Sequence, residues 1–285
     1  MHHHIQFSKY HGLGNDFIVI DGLNQRLNDI SFAECAAQLC DRHFGIGADG
    51  IILCLPSDHS DAKMVIYNSD GSNPETCGNG IRCFARFVFE KKLVEKDLLS
   101  IEITDRVVIP AIIQKNGQVA AIEVDMGTPD LHPASFLSKA IPDSNTATYS
   151  LNVDAQTQLE ATVVSMGNPH AVIFVDDVKK IPISTWGPII EQDPLFQHKT
   201  NVEFVQVLSK KEILVHVWER GAGETLACGT GACASVVAGV LHGHCDRNVA
   251  VHLPGGKLLI DWQAADNKIV MTGPATHIYD GTFTL

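Results

Sequence analysis

The sequence predicts an α+β protein of two pseudo-symmetric lobes, each a curled, mostly antiparallel sheet around a central helix. Three observations predict it. CGNG at Cys77–Gly80 returns as CGTG at Cys228–Gly231, and each copy opens a helical pattern. Both helices are apolar on most faces, through Ile81, Phe84, Ala85, Phe87 and Val88 in one and Ala232, Ala234, Val236, Val237 and Val240 in the other; a helix apolar nearly all round is a buried helix. The segments around each helix are short and strand-like, so a sheet wrapped about the helix satisfies both kinds of element.

The elements follow in chain order. Strands are expected at Ile5–Tyr10 and Phe17–Asp21, flanking the turn HGLGND. A helix starts at Ser31, where Ser31 and Glu34 have capping-box spacing and Phe32, Cys35, Ala36 and Leu39 recur at helical spacing. Arg42–Gly50 is a glycine loop, followed by strands at Ile51–Leu55 and Lys63–Tyr67. The first Cys-headed helix runs from Cys77 to about Lys92, with Lys91 and Lys92 suiting its C-terminal end. Strands at Leu99–Thr104, Val107–Gln114 and Gln118–Asp125 come next, the last two joined by the hairpin signal Asn116-Gly117.

The second half repeats the order. Strands are expected at Thr162–Ser165, His170–Val175, Val202–Leu208 and Ile213–Glu219, then GAGETLA, then a helix from Cys228 to about His242. A meander of Val249–Leu253, Lys257–Trp262 and Lys268–Thr272 closes it. Asn68 precedes Cys77 by nine residues and Glu219 precedes Cys228 by nine. The boundary falls near Met126–Pro133: a first lobe of residues 1–128 carrying Cys77, completed by residues 275–285, and a second of residues 129–274 carrying Cys228.

Composition narrows the function. A net charge of -12 argues against nucleic acid, which needs concentrated Lys and Arg. No apolar run reaches membrane-spanning length and the N-terminus has no signal-peptide core, so a cytoplasmic protein is expected. The eight cysteines are then expected to be reduced, and the absence of a CxxC pair argues against structural zinc. His2, His3 and His4 form a terminal run and are set aside from any site, and His11 and His43 are read as structural.

The chemistry lies in the paired cysteines. The unpaired N–H groups and about half a positive charge at a helix start favour a thiolate there, and bind carboxylates. A free thiol ionises at about 8.5, so partial thiolate near neutrality is expected once a helix end lowers it. Two such ends can pin one carboxylate, with a thiol on either face of the adjacent carbon: one takes the α-hydrogen, the other returns one. Cysteine is a poor cap beside Ser, Thr, Asp or Asn, so its use at both equivalent sites favours chemistry over packing.

HGLGNDF, GIGADG, YNSDGS, CGNGIRCFARF, MGNPH, NVEFV, WERGAGET and CGTGACA, running from residue 11 to residue 234, closely resemble the diaminopimelate epimerase family. The resemblance implies the α/β-roll fold, a site in the cleft between the lobes, and interconversion of LL- and meso-diaminopimelate without pyridoxal phosphate or any other cofactor. It implies Cys77 and Cys228 as the catalytic thiols, with Gly78, Asn79, Gly229 and Thr230 holding the reacting carboxylate through their backbone. Asn15, Asn68, Asn168, Asn201 and Arg220 match positions that read the distal amino-acid centre; a guanidinium can grip a carboxylate through two parallel bonds. His170 and Glu219 match positions that tune the thiols, and Glu219 also suits the reacting ammonium. No metal is implied, and a homodimer is. Some members carry Gln after GIGxD; Gly50 stands there in this sequence, so that contact is not carried over. A two-thiol racemase for a small cyclic amino acid such as proline is the rival, and the Asn and Arg set argues against it, since such a substrate has no distal carboxylate. A non-catalytic amino-acid-binding or thiol redox module is the third reading.

Overall fold

A computed structural model of the chain describes residues 4–73, 78–104, 106–132, 134–138 and 148–285. The chain divides into two compact units, Met1–Asp125 with Thr272–Leu285, and Met126–Met271.

In the first unit, β1 (His4–Gly12) and β2 (Asn15–Asp21) form a tight hairpin. Its two-residue turn puts Leu13 at φ 58 and Gly14 at φ 91, the left-handed pair that matches strand twist. Helix α1 (Phe32–Cys40) leads to β3 (Gly50–Leu55), which lies parallel to β2. β4 (Ala62–Asn68) returns antiparallel to β3. Helix α2 (Gly78–Glu90) then crosses to β5 (Ile101–Ile103), parallel to β4, and β6 (Arg106–Val108) turns back beside β5. A hairpin of β7 (Ala111–Lys115) and β8 (Gln118–Asp125) follows.

The second unit opens with β9 (Thr148–Asn152), antiparallel to β10 (Gln158–Ser165). From β10 the pairing pattern repeats that of the first unit. β11 (Pro169–Phe174) is antiparallel to β10; helix α3 (Ile183–Glu191) leads to β12 (Asn201–Ser209), parallel to β11; β13 (Glu212–Glu219) returns antiparallel to β12. A short β14 (Gly223–Thr225) folds back on β13. Helix α4 (Gly229–Leu241) crosses to β15 (Asn248–Leu253), parallel to β13, and β16 (Gly256–Trp262) and β17 (Ile269–Gly273) complete the sheet. The final strand, β18 (Thr276–Thr284), lies antiparallel to β1.

From β1 to β6 and from β10 to β16, antiparallel and parallel pairs therefore alternate, with a helix at each parallel crossover. The pairings place Asn68 opposite Gly50 and Glu219 opposite Gly223, at the ends of the strands β4 and β13 that precede α2 and α4. β2, β3 and β11 are buried over nearly their whole length and β12 over Asn201–Val205, as strands covered on both faces must be. One face of each sheet packs on the outer helix. Ile18, Ile20, Ile51 and Leu53 meet Phe32, Ala36 and Leu39 of α1, and Ala171, Ile173, Val202 and Phe204 meet Ile183 and Ile190 of α3. The opposite face holds the central helix, α2 or α4, whose residues 78–85 and 229–239 are all buried.

Four expectations change. The capping box at Ser31 does not form: Ser31 is the N-cap, but its side chain makes no cap bond. The single strand expected over 107–114 is broken into β6 and β7 around Pro110, which has no N–H for a ladder. β9, unforeseen in the sequence, extends the second sheet. Helix α3 was also unforeseen, because Gly187 and Pro188 sit inside it and both disfavour helix. The glycine has a packing reason: a Cβ there would lie 2.6 Å from the Trp218 ring.

Candidate active site

Cys77 lies outside the described residues, so the first half-site starts at the first turn of α2. Gly78 and Asn79 are buried there. Asn79 Nδ2 donates to Asn15 Oδ1 at 3.3 Å, and Asn79 Oδ1 accepts from Arg82 Nη2 at 2.8 Å. Arg82 is fully buried in a helix the sequence presented as apolar; it also donates to the Gly78 carbonyl at 3.3 Å and to the Pro274 carbonyl at 3.2 Å. A cation with backbone carbonyls and an amide as partners thus fixes the side chain of the CGNG motif.

Asn15 is held from a second side, donating to Asp49 Oδ2 at 2.9 Å. Asp49 belongs to an ion network: Arg42 Nη2 lies 2.7 Å from both Asp49 Oδ1 and Asp16 Oδ1, and the buried Lys9 Nζ lies 2.7 Å from Asp16 Oδ2. Burial alone would raise the Asp16 pKa, but Arg42 and Lys9 outweigh it and hold it at about 2. The GIGADG loop is tied into this cluster, since Lys9 also donates to the Gly47 carbonyl. Asn68 ends β4, its Nδ2 donating to Ser72 Oγ at 2.9 Å while the backbone N–H of Asn68 meets the Ser72 carbonyl at 2.8 Å.

In the second half-site Cys228 is the N-cap of α4, with extended backbone (φ -116, ψ 116). Its Sγ accepts from Gly231 N at 3.3 Å and lies 3.4 Å from Thr230 Oγ1. The N–H groups of Gly229 and Thr230 fall in the first turn, where helix geometry supplies no intrahelical acceptor. Asn168 precedes β11 and donates from Nδ2 to Thr230 Oγ1 at 3.4 Å, while its Oδ1 lies 3.0 Å from His170 Nε2. His170 is wholly buried, and its Nδ1 is 2.7 Å from Glu203 Oε1. Glu219 accepts a hydrogen bond from Thr225 Oγ1 across the β13–β14 pair. Burial and the Glu203 charge raise its pKa, against that hydrogen bond.

The loop carrying Arg220 is clamped at its backbone. Arg220 N donates to Asn201 Oδ1 at 3.0 Å, and Gly221 N donates to Glu191 Oε1 at 3.1 Å. Asn201 Nδ2 in turn donates to the Pro169 carbonyl at 2.9 Å. Asn201 therefore ties the start of β11 to the end of β13, which gives it a positioning task beside any contact with substrate. Glu191 accepts from Trp218 Nε1 at 2.8 Å and pairs with Lys199 at 3.1 Å.

One expectation is reversed. The Cys228 thiol is pushed well above its ordinary value, not below: burial is the largest cause, the charges of Glu219 and Glu203 add to it, and the bonds from Thr230 and Gly231 oppose it only in part. A helix N-terminus supplies about half a charge, and here two carboxylates face it.

Sequence reasoning missed Glu203 and Arg82. Each had a signal: a lone charge inside an otherwise apolar strand, NVEFV, and a lone cation in an apolar helix. Residues of those types are almost never fully buried unless paired. Among the described residues, no group of three or more His, Cys, Asp or Glu is placed to hold a metal ion, and no helix is long and apolar enough to cross a membrane.

Solved structures share this architecture. A probable proline racemase from Agrobacterium radiobacter superposes with TM-score 0.70 at 15% identity, covering 97% of this chain and 92% of that one. A hydroxyproline epimerase from Agrobacterium vitis gives TM-score 0.69 at 13% identity, covering 99% and 93%. The fold is thus of the racemase and epimerase type. The sequence is more specific. The family model described as Diaminopimelate epimerase matches residues 7–132 and 162–278. The chain is 48% identical over 284 residues to diaminopimelate epimerase of Moorella thermoacetica, covering 99% of this chain and 100% of that protein. It is 44% identical to that of Methanococcus maripaludis, covering 97% and 99%. This chain belongs to the diaminopimelate epimerase family.

Proposed function

We propose that this enzyme interconverts LL- and meso-diaminopimelate by proton transfer at one α-carbon, with Cys77 and Cys228 as its two acid/base groups. The observation that carries the reading is Cys228 itself. A buried thiol caps a glycine-rich helix start, accepts a hydrogen bond from Gly231 N, lies 3.4 Å from Thr230 Oγ1 and faces two carboxylates.

The raised Cys228 pKa suits a two-base cycle. With no cation beside it, the thiol form is favoured and Cys228 is ready to donate. When the substrate's α-ammonium comes beside Glu219, the repulsion that holds the thiol protonated falls, and Cys228 can act as base in the reverse direction. The carboxylate of the reacting centre binds to the first-turn N–H groups at Gly78, Asn79, Gly229 and Thr230, where charge developing on it in the transition state is stabilised. Arg220 and the asparagines at 15, 68, 168 and 201 read the distal centre. Two copies of the chain form the working dimer, in the cytoplasm.

Turnover measured by chiral separation of LL- and meso-diaminopimelate, with proline as the alternative substrate, tests the reading. Epimerisation of diaminopimelate and none of proline is expected, with Cys77→Ala and Cys228→Ala each reducing it by at least about a hundredfold while circular dichroism stays unchanged. Activity on proline alone, or near wild-type turnover in either variant, contradicts it.

A further inference from the structure

The turn that carries Arg220 is closed by a backbone bond from Ala222 N to the Glu219 carbonyl at 3.1 Å, with Gly221 in left-handed backbone at φ 77. A turn of this kind leaves the N–H groups of its two middle residues without backbone partners. Here side chains from elsewhere in the second unit take both. Asn201 Oδ1 accepts from Arg220 N, and Glu191 Oε1 accepts from Gly221 N. Glu191 has no place in the scheme above.

Glu191 ends α3 and is buried, at 5% exposure. Both of its carboxylate oxygens are engaged. Oε2 accepts from Trp218 Nε1 at 2.8 Å, and Oε1 accepts from Gly221 N and from Lys199 Nζ, each at 3.1 Å. A backbone amide, an indole and an ammonium can only donate, so the direction of every one of these bonds is fixed. Burial works against the charge, but the bonds from Trp218, Lys199 and Gly221 outweigh it and hold the carboxyl below its ordinary value. The main chain of Glu191 is used as well, its carbonyl accepting from Thr200 N at 3.1 Å. Gly187 lies four residues earlier, on the same side of α3, and its lack of a Cβ is what lets the Trp218 ring lie against the helix and reach the carboxylate. One residue thus joins the end of α3, the start of β12 and the turn after β13.

We propose that Glu191 is a positioning residue for Arg220: by holding the Gly221 amide it fixes the backbone from which the guanidinium reaches the distal carboxylate, and so sets the affinity for a substrate with two carboxylates. The proposal rests on the reading of Arg220 given above. The plain alternative is that Glu191 ties α3 to β13 for stability alone. A stability role changes how much protein is folded and leaves KM as it was. A positioning role raises KM, and does so only while Arg220 is present.

The test is a mutant cycle in the full chain, with kcat and KM for LL-diaminopimelate measured in Glu191→Gln, Arg220→Met and the double variant. A carboxamide has a single oxygen, so Gln at this position turns its NH₂ group against either the Trp218 indole or the Gly221 amide. Glu191→Gln is expected to raise KM about tenfold with kcat within about threefold of the parent, as loss of substrate binding does. Arg220→Met is expected to raise KM more, and the double variant to match Arg220→Met, since both substitutions remove the same contact. An unchanged KM in Glu191→Gln, an equal fall in kcat and kcat/KM, or additive losses overturns the proposal. An unchanged KM in Arg220→Met overturns the reading of Arg220 as well, which tells the two failures apart. Should Glu191→Gln fail to fold, amide hydrogen exchange in the parent protein decides it. The Gly221 amide is expected to exchange at least about a hundredfold more slowly than an open glycine amide, and exchange at the open rate overturns the proposal.

Discussion

Asn79 and Arg82 are joined in the first turn of α2, Nη2 to Oδ1 at 2.8 Å, and that bond sets which way the amide of the CGNG motif faces. With Oδ1 taken by a fully buried guanidinium, Nδ2 turns to Asn15. In the second motif Thr230 takes the corresponding place and bonds Asn168 and the Cys228 sulfur instead. One repeated helix start thus carries two different polar networks, which suits a reaction whose two directions call for a donor on one face and an acceptor on the other.

Arg82→Met keeps most of the packing of Arg82 but leaves the Gly78 and Pro274 carbonyls and the Asn79 amide without that donor. Unsatisfied buried groups cost about 1–3 kcal/mol. Denaturant unfolding is expected to show a loss of that size, with a raised KM because Asn79 and Asn15 are no longer fixed. An unchanged unfolding midpoint contradicts the account of this residue.

Glu219 contributes to the raised Cys228 pKa after burial. Glu219→Gln is expected to shift iodoacetamide alkylation of Cys228 to lower pH, and to raise KM through loss of the ammonium's partner. If alkylation moves to higher pH, Glu219 acts on the thiol by some other route than its charge.

Asp16 has its pKa held at about 2 by Arg42 and Lys9 against the effect of burial, below its ordinary 3.8. A depressed carboxylate pKa contributes stability that is present above the unfolded value and lost as pH falls through the folded one. The denaturant midpoint is therefore expected to decline as pH drops from 3.8 toward about 2, and Asp16→Asn to flatten that part of the decline. Equal declines in the two proteins contradict it.

Much of this was legible because the chain states its plan twice. The helices α2 and α4, their burial and the strands before them follow from composition and period alone. What stayed hidden was written in tertiary contacts. Helix α3 contains Gly187 and Pro188, and only the ring of Trp218 against the glycine explains why it forms there. Asn201 reads as a substrate contact from its motif, while its amide spans two backbone segments in the fold. The thiol shift was misjudged because the helix end is local in sequence, whereas the carboxylates that oppose it arrive from β12 and β13. Glu203 and Arg82 went unremarked for the same reason: a lone charge in an apolar run shows its purpose only when its partner is in view.

The central claim is that two thiols, not one, handle the proton, and deuterium uptake tests it most directly. LL-diaminopimelate is turned over in deuterated water and stopped early, and both isomers are analysed by mass spectrometry. The account predicts one deuterium in the meso product and an undeuterated LL pool. Product that keeps the original hydrogen, or LL-diaminopimelate that gains deuterium as fast as product forms, contradicts it.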